Sequence, residues 1–221
     1  MSAVKRIAVL VSGGGTNLQA LIDAQDRGDI INGRIAAVIA SKPGVYALER
    51  AKRAGIPSYV VARKDYPDNR AMTVALVDKL QELNTDLVVL AGFMVILTEE
   101  MVRAYPNAIL NVHPALIPSF CGEGYYGLHV HEKALEYGVK VSGATVHFVS
   151  EECDGGPIVL QKAVEVEQDD TPETLQRRIM EQAEWVILPR AVSLFCQGRL
   201  QVEGRTVRIL KPYQLSKECL Q

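Results

Sequence analysis

Short runs that are apolar after their first residue, separated by amphipathic stretches, constrain this chain more than any other feature. Arg6–Val11 (RIAVLV), Arg34–Ala40 (RIAAVIA) and Asp86–Ala91 (DLVVLA) are too short for buried helices and have no polar face. Such runs fit strands covered on both sides, as in a parallel sheet. Between them, Asn17–Arg27 has Leu18, Leu21 and Ile22 on one helical face. Val45–Ala54 is a second helix, stopped by Gly55 and Pro57, and Arg70–Leu83 is a third. Ser58–Val61 and Ala108–Val112 complete five expected strands. Strands alternating with helices predict an α/β fold, a mainly parallel twisted sheet with helices on both faces.

The pattern changes after residue 113. Pro114–Gly127 reads as a loop rich in proline and glycine, and His129–Tyr137 as a short helix ended by Gly138. Val141–Val149 and Ile158–Val166 alternate like strands around the turn SEECDGGP. Thr171, Pro172 and Glu173 begin a long helix expected to run to about Phe195. Arg199–Ile209 reads as a hairpin around Glu203–Gly204. The last ten residues carry no strong signal and are expected to be mobile. One domain fits the length of 221 residues. Within it, about 1–110 is a phosphate-binding, Rossmann-like half and about 111–200 a catalytic half. Residues 201–221 form a hairpin and tail.

Composition excludes several classes. The formal net charge of -2 argues against a protein that grips nucleic acid through phosphates. No apolar run approaches the roughly 18 residues of a membrane span, and the N-terminus runs into a glycine loop instead of a cleavage site. Cys121, Cys153, Cys196 and Cys219 have no framework spacing, which fits free thiols in the cytoplasm.

Three stretches carry chemistry. Ser12-Gly13-Gly14-Gly15-Thr16-Asn17 follows the first strand and opens the first helix. There, unpaired N–H groups and a partial positive charge make an anion site. It lacks the Walker pattern and the third glycine of a dinucleotide fingerprint, whose place is taken by Leu18. The phosphate of a mononucleotide-like ligand therefore fits better than NAD. Asn111 and His113, two apart on a strand end, project to one side, and Pro114 keeps His113 out of helical geometry. Asp154-Gly155-Gly156-Pro157 supplies a carboxylate expected to raise the His113 pKa and fix its tautomer. His129 and His131 do not share a helical face and suggest no metal pair. Nothing beside Cys121 activates it as a nucleophile. His147 reads as a strand residue or a partner of the site, and Trp185 as packing.

Taken together, these stretches resemble the phosphoribosylglycinamide formyltransferase family, the folate-dependent enzymes of purine synthesis. The likeness rests on VSGGGTNLQALIDA (11–24), LVVLAGFMVIL (87–97), ILNVHPALIPSF (109–120), GLHVHEKAL (127–135) and ATVHFVSEECDGGPIVLQKAVEV (144–166). It implies the formyltransferase fold, with a mainly parallel sheet of seven strands. It implies transfer of a formyl group from 10-formyltetrahydrofolate, the co-substrate, to the amine of 5-phosphoribosylglycinamide, without a metal. By the same likeness, Ser12 to Asn17 form the substrate loop, with Gly15, Thr16 and Asn17 on the phosphoribosyl part. Glu184 aligns with a glutamate that contacts the substrate. Arg70, Met94, Val95, Ile96 and Leu97, with Asn111, contact the folate. His113 is the catalytic acid, Asn111 binds the formyl oxygen, and Asp154 holds and tunes His113.

Val95 stands where some relatives have arginine, and the loop Cys-Gly-Glu-Gly-Tyr-Tyr-Gly follows Phe120 where many have a proline-led one. From its length, the chain is expected to carry neither the RNA-binding domain of tRNA-directed relatives nor the regulatory domain of hydrolase relatives. The implied partners are small molecules only, with no nucleic acid and no membrane, for a cytoplasmic monomer or homodimer. One alternative, a formyltransferase or formyltetrahydrofolate hydrolase acting on another substrate, shares the motifs; another, a non-catalytic nucleotide-binding module, would keep only the phosphate loop, and the presence of Asn111, His113 and Asp154 argues against it.

Overall fold

The computed structural model describes residues 3–212. Cys219 and all but the start of the expected tail lie outside them. The chain falls into two compact units, 1–111 and 112–221.

The first unit is a parallel sheet in the order β3-β2-β1-β4-β5. Strand β1 (Lys5–Val11) is central, pairing with β2 (Gly33–Ala40) from Lys5↔Gly33 to Val11↔Ala40 and with β4 (Leu87–Leu90) from Ile7↔Leu87 to Leu10↔Leu90. Ile7 to Val11 are fully buried, so the apolar run is covered on both faces as expected. Strand β3 (Ser58–Val60) is a short edge, and β5 (Ile109–His113) crosses the unit boundary.

Helices α1 (Thr16–Asp26) and α2 (Tyr46–Arg53) connect β1 to β3 and contact each other. Helices α3 (Asn69–Glu82) and α4 (Glu99–Ala104) flank β4 and do likewise. Right-handed crossovers put the two pairs on opposite faces, because the strand order reverses between β1 and β4. Sequence reading missed α4, although Thr98 with Glu99 and Glu100 is a helix-start signal. It also missed a single 3-10 turn at Arg63–Asp65.

In the second unit, α5 (Leu128–Tyr137) precedes the antiparallel pair β6 (Val141–Phe148) and β7 (Ile158–Glu165). Strand β9 (Thr206–Ile209) joins β7 in parallel and pairs antiparallel with β8 (Leu200–Glu203). The strands number nine among the described residues, two more than the resemblance implies, and this hairpin accounts for the difference.

The long helix expected from Pro172 to about Phe195 is not continuous. It runs as α6 (Pro172–Ile179), a π-helical turn at Met180–Glu184 and α7 (Trp185–Cys196). Pro189 has no N–H for the Trp185 carbonyl, and its ring crowds that carbonyl. A wider turn just before this point relieves the mismatch and delivers Glu184, which is buried, at its end. The start of α6 follows the expected signals: Thr171 caps the Thr174 N–H, the Thr174 hydroxyl accepts from the Thr171 N–H, and Pro172 occupies the first turn.

Candidate functional site

In the first unit the residues of interest gather at the reversal of strand order, where open parallel sheets bind ligands. The loop Ser12–Gly15 leaves β1 and ends in the N-terminus of α1. Gly15 has φ 72°, and a Cβ there would lie 2.7 Å from the Ala47 Cβ, so only glycine lets α1 and α2 approach this closely. Gly13 and Gly14 face open space. No side chain caps α1 at Gly15, and the helix begins directly after the loop with Thr16 and Asn17.

Ser12 takes a different part from the one its neighbours suggest. Its hydroxyl is buried, lies 2.6 Å from the Ser41 hydroxyl and accepts from the Met94 N–H at 2.8 Å. The Ser12 N–H donates to the Gly92 carbonyl. Ser12 therefore ties the glycine loop to the segment after β4. That segment is irregular, and Met94 and Ile96 are 55% and 62% exposed. Two adjacent apolar side chains open to solvent suit a flat, apolar ligand. Arg70 pairs with Glu100 at 2.5 Å, and Glu100 also accepts from the Thr98 hydroxyl, which fixes the far end of Val95–Leu97.

Two contributors escaped sequence reading. Arg50 donates from Nε to the Gly14 carbonyl at 2.8 Å and from a terminal nitrogen to Gln19, placing a cation beside the loop. Ser41 reaches Ser12 from the end of β2. No local motif marks either residue. Both arrive through the parallel pairing of β1 with β2.

In the second unit, a buried cluster forms around Asp154. His113 closes β5, and its Nδ1 lies 3.4 Å from Asp154 Oδ2. His147 Nε2 lies 3.5 Å from the other carboxylate oxygen, and the Gly122 N–H donates to Oδ2 at 3.0 Å. A bulge in β6 at Val146–His147 re-aims His147 just before the turn that carries Asp154. Asp154 itself sits at φ 53°, a conformation Asp tolerates better than most residues. A Cβ on Gly156 would fall 1.8 Å from the Phe148 carbonyl, so the turn needs glycine there.

The remaining nitrogens of the two imidazoles also face acceptors. His113 Nε2 is 2.8 Å from the Phe120 carbonyl, and His147 Nδ1 is 2.8 Å from the Phe148 carbonyl. A neutral ring donates from only one nitrogen, so His113 satisfies both its acceptors only when it carries a second proton. Burial opposes that charge. The desolvation of His113 outweighs the attraction of Asp154 and the Phe120 carbonyl, and its pKa lies below 6.5. This corrects the sequence expectation of a raised pKa. Asp154 pulls the value up, but the strand end is buried too deeply for that pull to win. Asp154 shows the reverse balance. Burial alone would raise its pKa, but His147, His113 and the Gly122 N–H together hold it below the usual value. The cluster is thus a fixed carboxylate beside an imidazole that can take and release a proton.

The other histidines separate. His129 is exposed and pairs with Glu132, whereas His131 points into the core. The Cys121 thiol is pushed up by burial and by the charges of Asp154 and Glu152, which keeps it protonated and a poor nucleophile. Among the described residues, no group of three or more His, Cys, Asp or Glu could hold a metal. No helix among them is long and apolar enough to cross a membrane.

His131 generates a test of this electrostatic picture. It is 1% exposed, and among the described residues neither ring nitrogen has a hydrogen-bond partner. Burial, then the charge of His113, lowers its pKa to about 4. The unfolded chain protonates this ring at higher pH than the folded one. Its contribution to stability is therefore complete above about pH 6.5 and is lost as pH falls towards 4. Urea unfolding is expected to lose up to about 1.4 kcal/mol per pH unit over that window from this ring. His131→Leu is expected to make the slope shallower, and an unchanged slope would contradict the assignment.

The family model described as formyl transferase matches residues 5–192. The chain is 46% identical over 200 residues to a phosphoribosylglycinamide formyltransferase of Haemophilus influenzae, covering 90% of this chain and 91% of that protein. It is 45% identical over 202 residues to the trifunctional purine biosynthetic protein adenosine-3 of Bos taurus, covering 90% of this chain but only 19% of that longer protein. The crystal structure of glycinamide ribonucleotide transformylase 1 from Symbiobacterium toebii superposes with a TM-score of 0.90 at 48% identity, covering 96% of each chain. The chain belongs to the formyl transferase family, in its phosphoribosylglycinamide formyltransferase branch.

Proposed function

We propose that this chain transfers the formyl group of 10-formyltetrahydrofolate to the amine of 5-phosphoribosylglycinamide, a step of de novo purine synthesis in the cytoplasm. It would act as a monomer or homodimer on small molecules alone, and it needs no metal. The observation that carries the reading is the buried His113–Asp154 pair at the end of the strand that also bears Asn111. Acyl transfer to an amine requires charge stabilisation on the acyl oxygen and a proton for the leaving nitrogen, and these residue types supply both.

The amine attacks the formyl carbon, and negative charge develops on the formyl oxygen. The Asn111 side-chain amide and a His113 N–H donate to that oxygen, the second in place of its present bond to the Phe120 carbonyl. Each such donor is typically worth about 3–4 kcal/mol. The attacking nitrogen, cationic once its bond to the formyl carbon has formed, gives a proton to His113 directly or through water, and collapse of the intermediate then breaks the bond to the folate nitrogen, which takes that proton from His113. Asp154 holds the ring in place and compensates the positive charge that His113 carries when it has taken up a proton.

Gly15, Thr16 and Asn17, with the backbone of Gly13 and Gly14, hold the substrate phosphate, while Ser12, expected in the same role, anchors the loop through its bonds to Gly92, Ser41 and Met94. This is supported by the partial positive charge at the N-terminus of α1 and by the nearby Arg50. The exposed apolar segment Met94–Leu97 takes the folate, with Arg70 towards its acidic end. Glu184 contacts the substrate from the π-helical turn.

Asp154→Asn removes the charge that favours protonated His113. It is expected to lower kcat by about two to four orders of magnitude and leave both KM values near wild type. A near-normal kcat would sink the assigned role. Thr16→Ala and Asn17→Ala each remove a donor to a charged group. Each is expected to raise KM for the phosphorylated amine by about tenfold with little change in kcat. Unchanged KM values would move the phosphate elsewhere.

A further inference from the structure

We propose that Gln161 is a positioning residue for His113, acting through the arc of chain that begins and ends on that imidazole. The proposal rests on the catalytic reading above for its consequence in turnover, but its geometry is independent of that reading.

The arc runs from His113 through Pro114 and Ile117 to Phe120, whose carbonyl returns to His113 Nε2 at 2.8 Å. Phe120 lies at φ 50°, in the left-handed region that a bulky side chain avoids. A strained residue keeps its place only when neighbouring contacts over-determine it. A turn closed by the Ser119 N–H on the Leu116 carbonyl supplies one such contact. The rest come from two residues that face each other across the antiparallel ladder of β6 and β7, Thr145 and Gln161.

The Thr145 hydroxyl donates to the Ala115 carbonyl at 2.7 Å and accepts from the Ile117 N–H at 3.1 Å. Gln161 Nε2 donates to the Ile117 carbonyl at 2.9 Å and to the Thr145 hydroxyl at 3.0 Å. Both backbone groups of Ile117 are thereby captured, as a neighbouring strand would capture them. The Thr145 hydroxyl uses its one proton and both lone pairs in this network. Thr145 is fully buried, so its removal would disturb the core. Gln161 is exposed, so it can be changed without emptying a packed site. The amide sets where Ile117 sits, the turn relays that position, and the Phe120 carbonyl meets the imidazole as a result.

The groups facing His113 are Asp154 from the turn after β6, His147 from β6 and, through its charge, His131 from α5. Gln161→Leu changes none of them. It loosens only the carbonyl acceptor, whose effect on His113 is to favour the protonated ring. NMR titration of His113 in the full chain is therefore expected to give a lower pKa in Gln161→Leu than in the wild type. Turnover is expected to fall about tenfold or more, with KM for both substrates within about twofold of wild type. Gln161→Glu keeps the length but lacks the N–H groups, and it should behave like Gln161→Leu when its carboxyl is ionised. A Gln161→Leu protein with the wild-type His113 titration, or with wild-type kcat, overturns the proposal. Failure of the wild type to transfer a formyl group overturns the catalytic reading instead, and the titration still tests the arc.

Discussion

Asp154 sits where two imidazoles and one backbone N–H converge, and much of the second unit serves that convergence. A carboxylate with little exposure costs free energy unless donors surround it. Here the Gly122 N–H donates to it, nitrogens of His113 and His147 lie 3.4 and 3.5 Å away, and together they keep the group ionised. The β6 bulge turns His147 towards it, Gly156 lets the chain pass the Phe148 carbonyl, and the arc from Pro114 to Phe120 brings Gly122 within reach. Remove the carboxylate, and the two buried imidazoles lose the anion that lies between them.

Burial and charge pull His113 in opposite directions, and the outcome defines its chemistry. In the free chain desolvation wins, so the ring is neutral near pH 7 and offers one N–H. On the proposed mechanism, a developing oxyanion would add negative charge beside it and shift the balance towards the protonated ring. An acid whose charge is favoured mainly when the substrate acquires charge stabilises the transition state more than the ground state. A permanently cationic His113, as the motifs alone suggested, would lack that discrimination.

Much of this was legible in the sequence. The apolar runs RIAVLV, RIAAVIA and DLVVLA identified the parallel strands because burial on both faces leaves no polar positions. The glycine loop, Asn111, His113 and Asp154 stood out because their chemistry is carried by adjacent residues. What escaped was set by contacts distant in sequence. Arg50 and Ser41 reach the loop only through the β1–β2 pairing, and Gln161 reaches Ile117 only through the β6–β7 register. The interrupted helix at Met180–Glu184 was missed because Pro189 acts one turn before its own position. The sign of the His113 shift was missed because depth of burial is not a local property.

The central claim is that the cluster moves a formyl group to an amine instead of to water. A spectrophotometric assay for release of the deformylated folate tests it most directly, run with and without 5-phosphoribosylglycinamide. The account predicts release that depends on the amine and stops when it is omitted. Equal release in its absence would identify a hydrolase, and no release under either condition would contradict the catalytic assignment of His113 and Asp154.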